Sequence, residues 1–141
     1  MTKHLMSLAL SADDLDAVDA ALTTLESRLA GLILLRTEGY CGIAKMGDSS
    51  EAFCRQTLAR LAQNPQIVPQ GFDLAEAQAD LAAADALHPR LLRLRRLSER
   101  AEDSELALGC DVMVAALQGH ALLEAAGCAE ELVSLCEADA A

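Results

Sequence analysis

Aromatic residues are nearly absent from this 141-residue chain, which has two Phe, one Tyr and no Trp. Glycine and proline are also few, with eight and three residues. A β-sandwich or barrel would need many aromatic and β-branched residues and frequent turns, and a platform for single-stranded nucleic acid would need stacking aromatics. Because 52% of the residues are hydrophobic, disorder is excluded as well. The composition predicts an all-α protein rich in Ala and Leu.

Basic residues are outnumbered two to one, with 11 Lys and Arg against 22 Asp and Glu, for a formal net charge of -11. Such a chain repels phosphate backbones and anionic lipid, so neither nucleic acid nor a membrane surface is an expected partner. We interpret the acidic surface as one that keeps an apolar protein soluble. An acidic mimic that occupies a nucleic-acid-binding partner is an alternative that depends on charge alone.

Paired cysteine motifs are missing, because the five cysteines stand singly and in odd number. Zinc sites, redox dithiols and secreted scaffolds usually show short paired spacings or even counts, so we interpret these cysteines as reduced thiols. The apolar run that follows Lys3 has about six residues, below the ~7–15 of a secretory signal. No window approaches the ~20 continuous apolar residues of a membrane span. A cytoplasmic location is predicted.

Ser11 is the predicted N-cap of the first helix, with Asp13 and Asp14 at the positive end of the helix dipole. Apolar residues then recur at spacings of 3, 4, 3, 4 and 3. This spacing is typical of a helix that packs lengthwise against another helix, and it predicts a helix from about 12 to about 35. The repeat consists of Leu15, Val18, Leu22, Leu25, Leu29 and Leu32.

A short second helix is predicted from Asp48, because Asp48 and Glu51 stand at the spacing of a capping box. The dipeptide Asn64-Pro65 predicts its end, since the residue before a proline is pushed out of helical geometry. The segment that follows is predicted to be a connector.

The longest predicted helix opens at Asp73 and Glu76, which repeat the capping-box spacing, and ends near 100–102. Pro89 lies inside it and predicts a bend, because proline lacks the amide donor and its ring clashes with the preceding turn.

Asp103 and Ser104 predict the cap of a fourth helix, and Gly127 suits the left-handed position just past its end. A short last helix is predicted from about 129 to 138. Four substantial helices with short connections predict one domain over 1–141, an antiparallel four-helix bundle with a short additional C-terminal helix. The apolar repeat of the fourth helix has the same 3, 4, 3, 4, 3 spacing and consists of Leu106, Gly109, Met113, Ala116, His120 and Leu123.

Several short motifs in the centre of the chain resemble those of a group of small uncharacterised bacterial all-helical proteins, over about 45–126. The resemblance implies a helical bundle and no catalytic activity. Its elements are Lys45-Met46-Gly47, Ser50-Glu51 with Phe53, Asn64-Pro65, Pro69, Phe72-Asp73, Glu76, Asp80 and Leu108-Gly109 with Asp111.

His120 is the first candidate site residue, because it occupies a position in the apolar repeat near Cys110, with Glu124 four residues later. One interpretation makes it a metal ligand or proton carrier inside the bundle. Di-iron bundles, however, use Glu-x-x-His motifs, and none occurs here. We favour a buried or half-buried structural histidine.

Arginines are concentrated between 90 and 100, where five of the eleven basic residues fall. Arg93, Arg96 and Arg100 share one helix face. Guanidinium groups match phosphate geometry, so an anion site is one interpretation. The favoured interpretation is pairing with acidic residues of a neighbouring helix or subunit.

Asp111 is the third candidate, because this charged residue lies close to the small residues Gly109 and Gly119. It is interpreted either as a buried polar centre or as a side chain that faces water or an arginine, and the second is favoured. Gly109 is predicted to let another helix approach closely. No Ser-His-Asp order, phosphate-cradling glycine loop or nucleophile elbow occurs, so no catalytic, cofactor-binding or metal-ligating residue is predicted.

These patterns predict a non-enzymatic protein that acts through protein–protein contacts and self-association, as a homodimer or a higher oligomer. The reason is that the two apolar repeats and the Leu-rich third helix offer more apolar surface than a bundle of this size must bury. The alternative is a small-molecule or metal carrier with a bundle cavity around His120, Cys110 and Met113.

Overall fold

A computed structural model describes residues 3–36 and 42–128 of the chain. These residues form three α-helices, α1 (Ala12–Arg28), α2 (Glu51–Gln63) and α3 (Leu74–Ala125), with one 3-10 turn at Pro65–Ile67. No strand occurs in the two ranges. The predicted all-α class is confirmed.

The chain divides into two compact units. Of the residues described, 3–9 and 94–128 belong to the first unit, and 10–36 and 42–93 belong to the second. Helix α3 contributes to both, because the division falls inside it.

Ser11 is the N-cap of α1, as predicted, and it forms a capping box with Asp14. The Asp14 amide donates to the Ser11 hydroxyl at 3.0 Å, and the Ser11 amide donates to the Asp14 carboxylate at 3.1 Å. These two bonds satisfy amides that lack partners within the helix. The predicted end near residue 35 is wrong, because α1 stops at Arg28 with Leu29 as its C-cap. Gly31 disfavours helix by about 1 kcal/mol relative to Ala, and no buried contact offsets that cost.

Helix α2 begins at Glu51 and not at the predicted Asp48. The Ser50 hydroxyl accepts from the Gly47 amide at 2.9 Å and closes a turn before the helix. The predicted end at Asn64-Pro65 is confirmed, since α2 stops at Gln63.

Helix α3 runs unbroken for 52 residues, so the predicted break at Asp103 and Ser104 is wrong. The Ser104 hydroxyl donates to the Arg100 carbonyl one turn earlier, at 2.6 Å, and does not cap a new helix. No Gly or Pro occurs between 90 and 108 to interrupt the helix. The antiparallel four-helix bundle is therefore wrong: residues 74–125, expected to form two of its helices, form one. The additional C-terminal helix, expected at about 129–138, lies outside the described residues.

The two ends of α3 agree with the sequence patterns. The Glu76 amide donates to the Asp73 carboxylate at 2.9 Å, as the capping spacing predicts. Gly127 has φ of 76°, the left-handed conformation that terminates a helix. The Cys128 amide then donates back to the Leu123 carbonyl at 2.9 Å. Pro89 lies within α3 without ending it.

An arginine joins α2 to the first half of α3. Arg55 Nη1 donates to the Asp85 carboxylate at 2.8 Å, and Arg55 Nε donates to Glu51 Oε1 at 3.0 Å. The hydrogen bonds that Arg55 donates to Asp85 and then to Glu51 raise the pKa of Arg55 above its ordinary value, and the bond from Arg55 lowers the pKa of Asp85. The ion pair thus links α2 to the first half of α3 within the second unit. Its half-buried apolar positions recur at helical spacing and are Cys54, Leu58, Leu61, Leu74, Ala77, Leu81, Leu87 and Leu91.

Replacement of this arginine tests the link between α2 and α3. We expect Arg55→Met to lower the urea midpoint slightly, with at most about a fivefold change in the folding equilibrium, because exposed ion pairs contribute little. Since the pKa of Asp85 is lowered in the folded protein, the ion pair makes its full contribution to stability above pH 3.8, the ordinary pKa of aspartate. That contribution is lost as the pH falls through the lowered pKa. Arg60→Met in the same helix is the control, and an equal loss in both variants would contradict the assignment.

Candidate functional site

Asp111 lies in the most apolar part of α3 and is the only Asp, Glu, Lys or Arg between residues 106 and 123. Its side chain is only 13% exposed. An isolated carboxylate in such a place costs free energy unless it is hydrogen-bonded. Its partners therefore indicate what this part of α3 is built to hold.

The partners of Asp111 come from the extended segment 3–9, which we name the N-terminal strap. The Leu5 amide donates to both carboxylate oxygens, at 2.9 and 3.0 Å, and the Met6 amide donates to Oδ2 at 3.1 Å. His4 Nε2 lies 3.5 Å from Oδ2 and forms an ion pair when it is protonated. Asp111 thus fastens the strap to α3.

These contacts also set the charge state of Asp111. The hydrogen bond from Leu5, together with that from Met6 and the nearby His4, lowers the pKa of Asp111 against the opposing effect of desolvation. Asp111 is therefore a carboxylate at neutral pH. The prediction that it faces water or an arginine is wrong, because its partners belong to a segment more than 100 residues away in sequence.

The strap covers one face of α3. Half-buried positions on this face lie three or four residues apart, which places them on one side of the helix. Leu8 of the strap and Leu97 of α3 are among the residues that line a shallow depression there. The face consists of Ser104, Ala107, Leu108, Asp111 and Val114.

The opposite face of α3 has no such cover. Cys110 and Met113 lie together there in an open depression that also includes Leu106 and Gly109, and every lining residue comes from α3 alone. No other atom lies within 4 Å of a Cβ placed on Gly109, so the close approach of another helix predicted there is absent from the described residues. A depression formed by one helix is not a ligand cavity.

His120 does not join Cys110 and Met113 in that depression. Its side chain is 47% exposed, and Nδ1 lies 3.7 Å from the Glu124 carboxylate one turn later. This exposure rules out a fully buried His120, and a half-buried structural histidine stays a prediction. Over residues 3–36 and 42–128, no three His, Cys, Asp or Glu side chains are grouped so that they could hold a metal ion.

The arginines Arg93, Arg96 and Arg100 are exposed, and none of them forms an ion pair with any residue that the structure describes. The predicted pairing with a neighbouring helix of the same chain is therefore not seen in this part of the protein. Pairing with another subunit stays a prediction.

Sequence reasoning missed two features. One is the pair of ion pairs that Arg55 forms with Glu51 and Asp85. The sequence indicates the first, because Glu51 and Arg55 stand four residues apart on one helix, but nothing in the sequence indicates the contact with Asp85. The strap also had a signal, since a lone carboxylate in an apolar stretch of helix requires donors.

By length and composition alone, α3 could cross a membrane, a property shared by core helices of soluble proteins. It is the one described helix that meets this criterion. The cytoplasmic location stays a prediction.

The free thiols among the described residues are those of Cys54, Cys110 and Cys128. Cys41 and Cys136 lie outside the described ranges.

The candidate site is thus the pair of α3 faces, one closed by the strap and the other open. The resemblance to small bacterial helical proteins over about 45–126 stays a prediction. No family model matches the chain, and no curated protein and no solved structure matches it.

Proposed function

We propose that this protein is non-enzymatic and acts through protein–protein contacts, with a second copy of itself as its first partner. The observation that supports the proposal is that no residue in the described ranges is buried. A folded domain of this length buries about two thirds of its surface. A chain with 52% hydrophobic residues therefore has apolar surface that another chain must cover.

The clearest uncovered surface is the apolar stripe of α1, formed by Leu15, Val18, Leu22 and Leu25. These side chains are 48, 49, 49 and 40% exposed. They lie three or four residues apart, so they form one continuous edge along the helix, as in helices that pair lengthwise. The second apolar repeat, on α3, is also uncovered, with Leu106 67% and Met113 43% exposed.

Protein is a better partner for these surfaces than lipid. Helix α1 carries five carboxylates on 17 residues, and the net charge of -11 repels anionic headgroups. Association with a second copy covers the stripe of α1 and keeps its charged side chains in water, and self-association is the commonest way in which soluble proteins bury such surface.

The mass of the protein in solution tests the proposal. We expect sedimentation velocity and native mass spectrometry at micromolar concentration to give at least twice the chain mass of 14.9 kDa. A monomer at that concentration, with the helices intact by circular dichroism, would contradict the proposal.

A further inference from the structure

We propose that α1 of one copy packs along residues 93–101 of α3 in a second copy, with Asp19 and Glu26 facing Arg93 and Arg100. The inference rests on the proposed self-association and names the surfaces that meet. The observation that supports it is that two sets of unpaired charges are opposite in sign and equal in spacing.

The acidic side is the edge of α1. Asp19 and Glu26 stand seven residues apart, which places them two turns apart along the same flank of the leucine stripe. Both residues are exposed, and neither side chain forms an ion pair within the described part of the chain. The neighbouring Leu22 and Leu25 supply the apolar contact.

The basic side is the corresponding stretch of α3. Arg93 and Arg100 also stand seven residues apart, on one flank of Leu94 and Leu97. Those leucines are 38 and 61% exposed. Leu97 and Arg100 border the depression beside Leu8 of the strap and stay exposed there. This surface therefore has the same plan as α1, an apolar stripe with two charges beside it, but with the opposite sign.

The two sets of charges are opposite in sign and are separated by the same distance along their helices. Seven residues span about 10.5 Å of helix at 1.5 Å per residue, so both ion pairs form at once when the helices lie side by side. The leucines supply affinity and the charges select the partner and the alignment. In a twofold dimer each copy presents both surfaces, and the contact forms twice.

A pair of charge-reversal variants tests the contact. The lysine variant carries Asp19→Lys and Glu26→Lys, and the glutamate variant carries Arg93→Glu and Arg100→Glu. In either variant alone, like charges meet across the interface, so we expect its self-association to weaken at least about tenfold. When the two are mixed, every contact again joins opposite charges, and we expect a heterodimer in native mass spectrometry, where the variants differ in mass.

Matched controls carry the same charge changes away from the contact. They are Asp13→Lys with Asp16→Lys in α1, and Arg60→Glu in α2 with Arg95→Glu, which lies on the side of α3 opposite Leu97. We expect both to assemble as the unmodified protein does. Recovery on mixing also shows that the variants are folded.

Three results would overturn the inference. The first is that both reversal variants still self-associate. The second is that the mixture of the two variants forms no heterodimer, which would indicate that these helices do not meet between copies. The third is equal weakening in the controls. An unmodified protein that is monomeric would instead overturn the proposed function, so the two failures are distinguishable.

Discussion

Leu22→Asp combined with Leu25→Asp is expected to reduce the protein to single chains of 14.9 kDa at micromolar concentration. Full burial of a leucine contributes about 1.5–3 kcal/mol, and these two are already half covered in the single chain. Loss of the remaining burial of both leucines, together with the cost of placing carboxylates in an apolar interface, should weaken the free energy of association by at least about 4 kcal/mol. The dissociation constant should rise about a thousandfold, measured by sedimentation at several concentrations.

The control for this variant is Ala20→Asp with Thr24→Asp, on the opposite face of α1. It adds the same charge to the same helix and should leave the mass of the assembly unchanged. If both double variants dissociated equally, net charge and not the leucine stripe would determine association.

Asp111→Asn is expected to release the N-terminal strap from α3. The amide side chain has one acceptor oxygen and no charge, whereas the carboxylate accepts from Leu5 and Met6 together. Hydrogen bonds to a charged acceptor are stronger than neutral ones. Protection of the Leu5 and Met6 amides from hydrogen exchange should therefore fall at least about tenfold.

Acid should have the same effect on the unmodified protein. Because the pKa of Asp111 is lowered when the strap is docked, the carboxylate stabilises the docked strap fully above pH 3.8, the ordinary pKa of aspartate. It is lost as the pH falls through the lowered value. The amide chemical shifts of Leu5 and Met6, followed by nuclear magnetic resonance, should report this transition.

Asp103→Asn is the matched control, because Asp103 is exposed on the same helix and forms no ion pair within the described residues. It should leave both amides protected at neutral pH. Retention of protection in the Asp111 variant would mean that apolar contacts, and not the carboxylate, hold the strap.

Helix boundaries were predictable where a few neighbouring residues determine them. Ser11 with Asp14, Asn64 before Pro65, and Gly127 act through bonds that span at most a few residues. Their chemistry is visible in the sequence because every participant is adjacent.

Boundaries that depend on competition were predicted wrongly. Ser104 has the residue type of a cap but donates to Arg100 within the helix, so α3 continues. Leu29 to Leu32 continue the apolar repeat of α1, yet no packing partner offsets the cost of Gly31, so α1 ends at Arg28. In both places the residue pattern is present in the sequence, but the free energy of the whole helix, and not the pattern, determines where the helix ends.

The sequence by itself determined that the protein is helical, that α1 has an apolar stripe, and where the capped helix ends lie, because these features arise from residues within a turn or two of one another. Only the tertiary structure showed which faces are covered. Asp111 finds its donors at Leu5 and Met6, and Arg55 finds Asp85, across 105–106 and 30 residues of chain. Periodicity states that a face is apolar, but what covers that face depends on contacts between distant segments, which a local pattern does not encode.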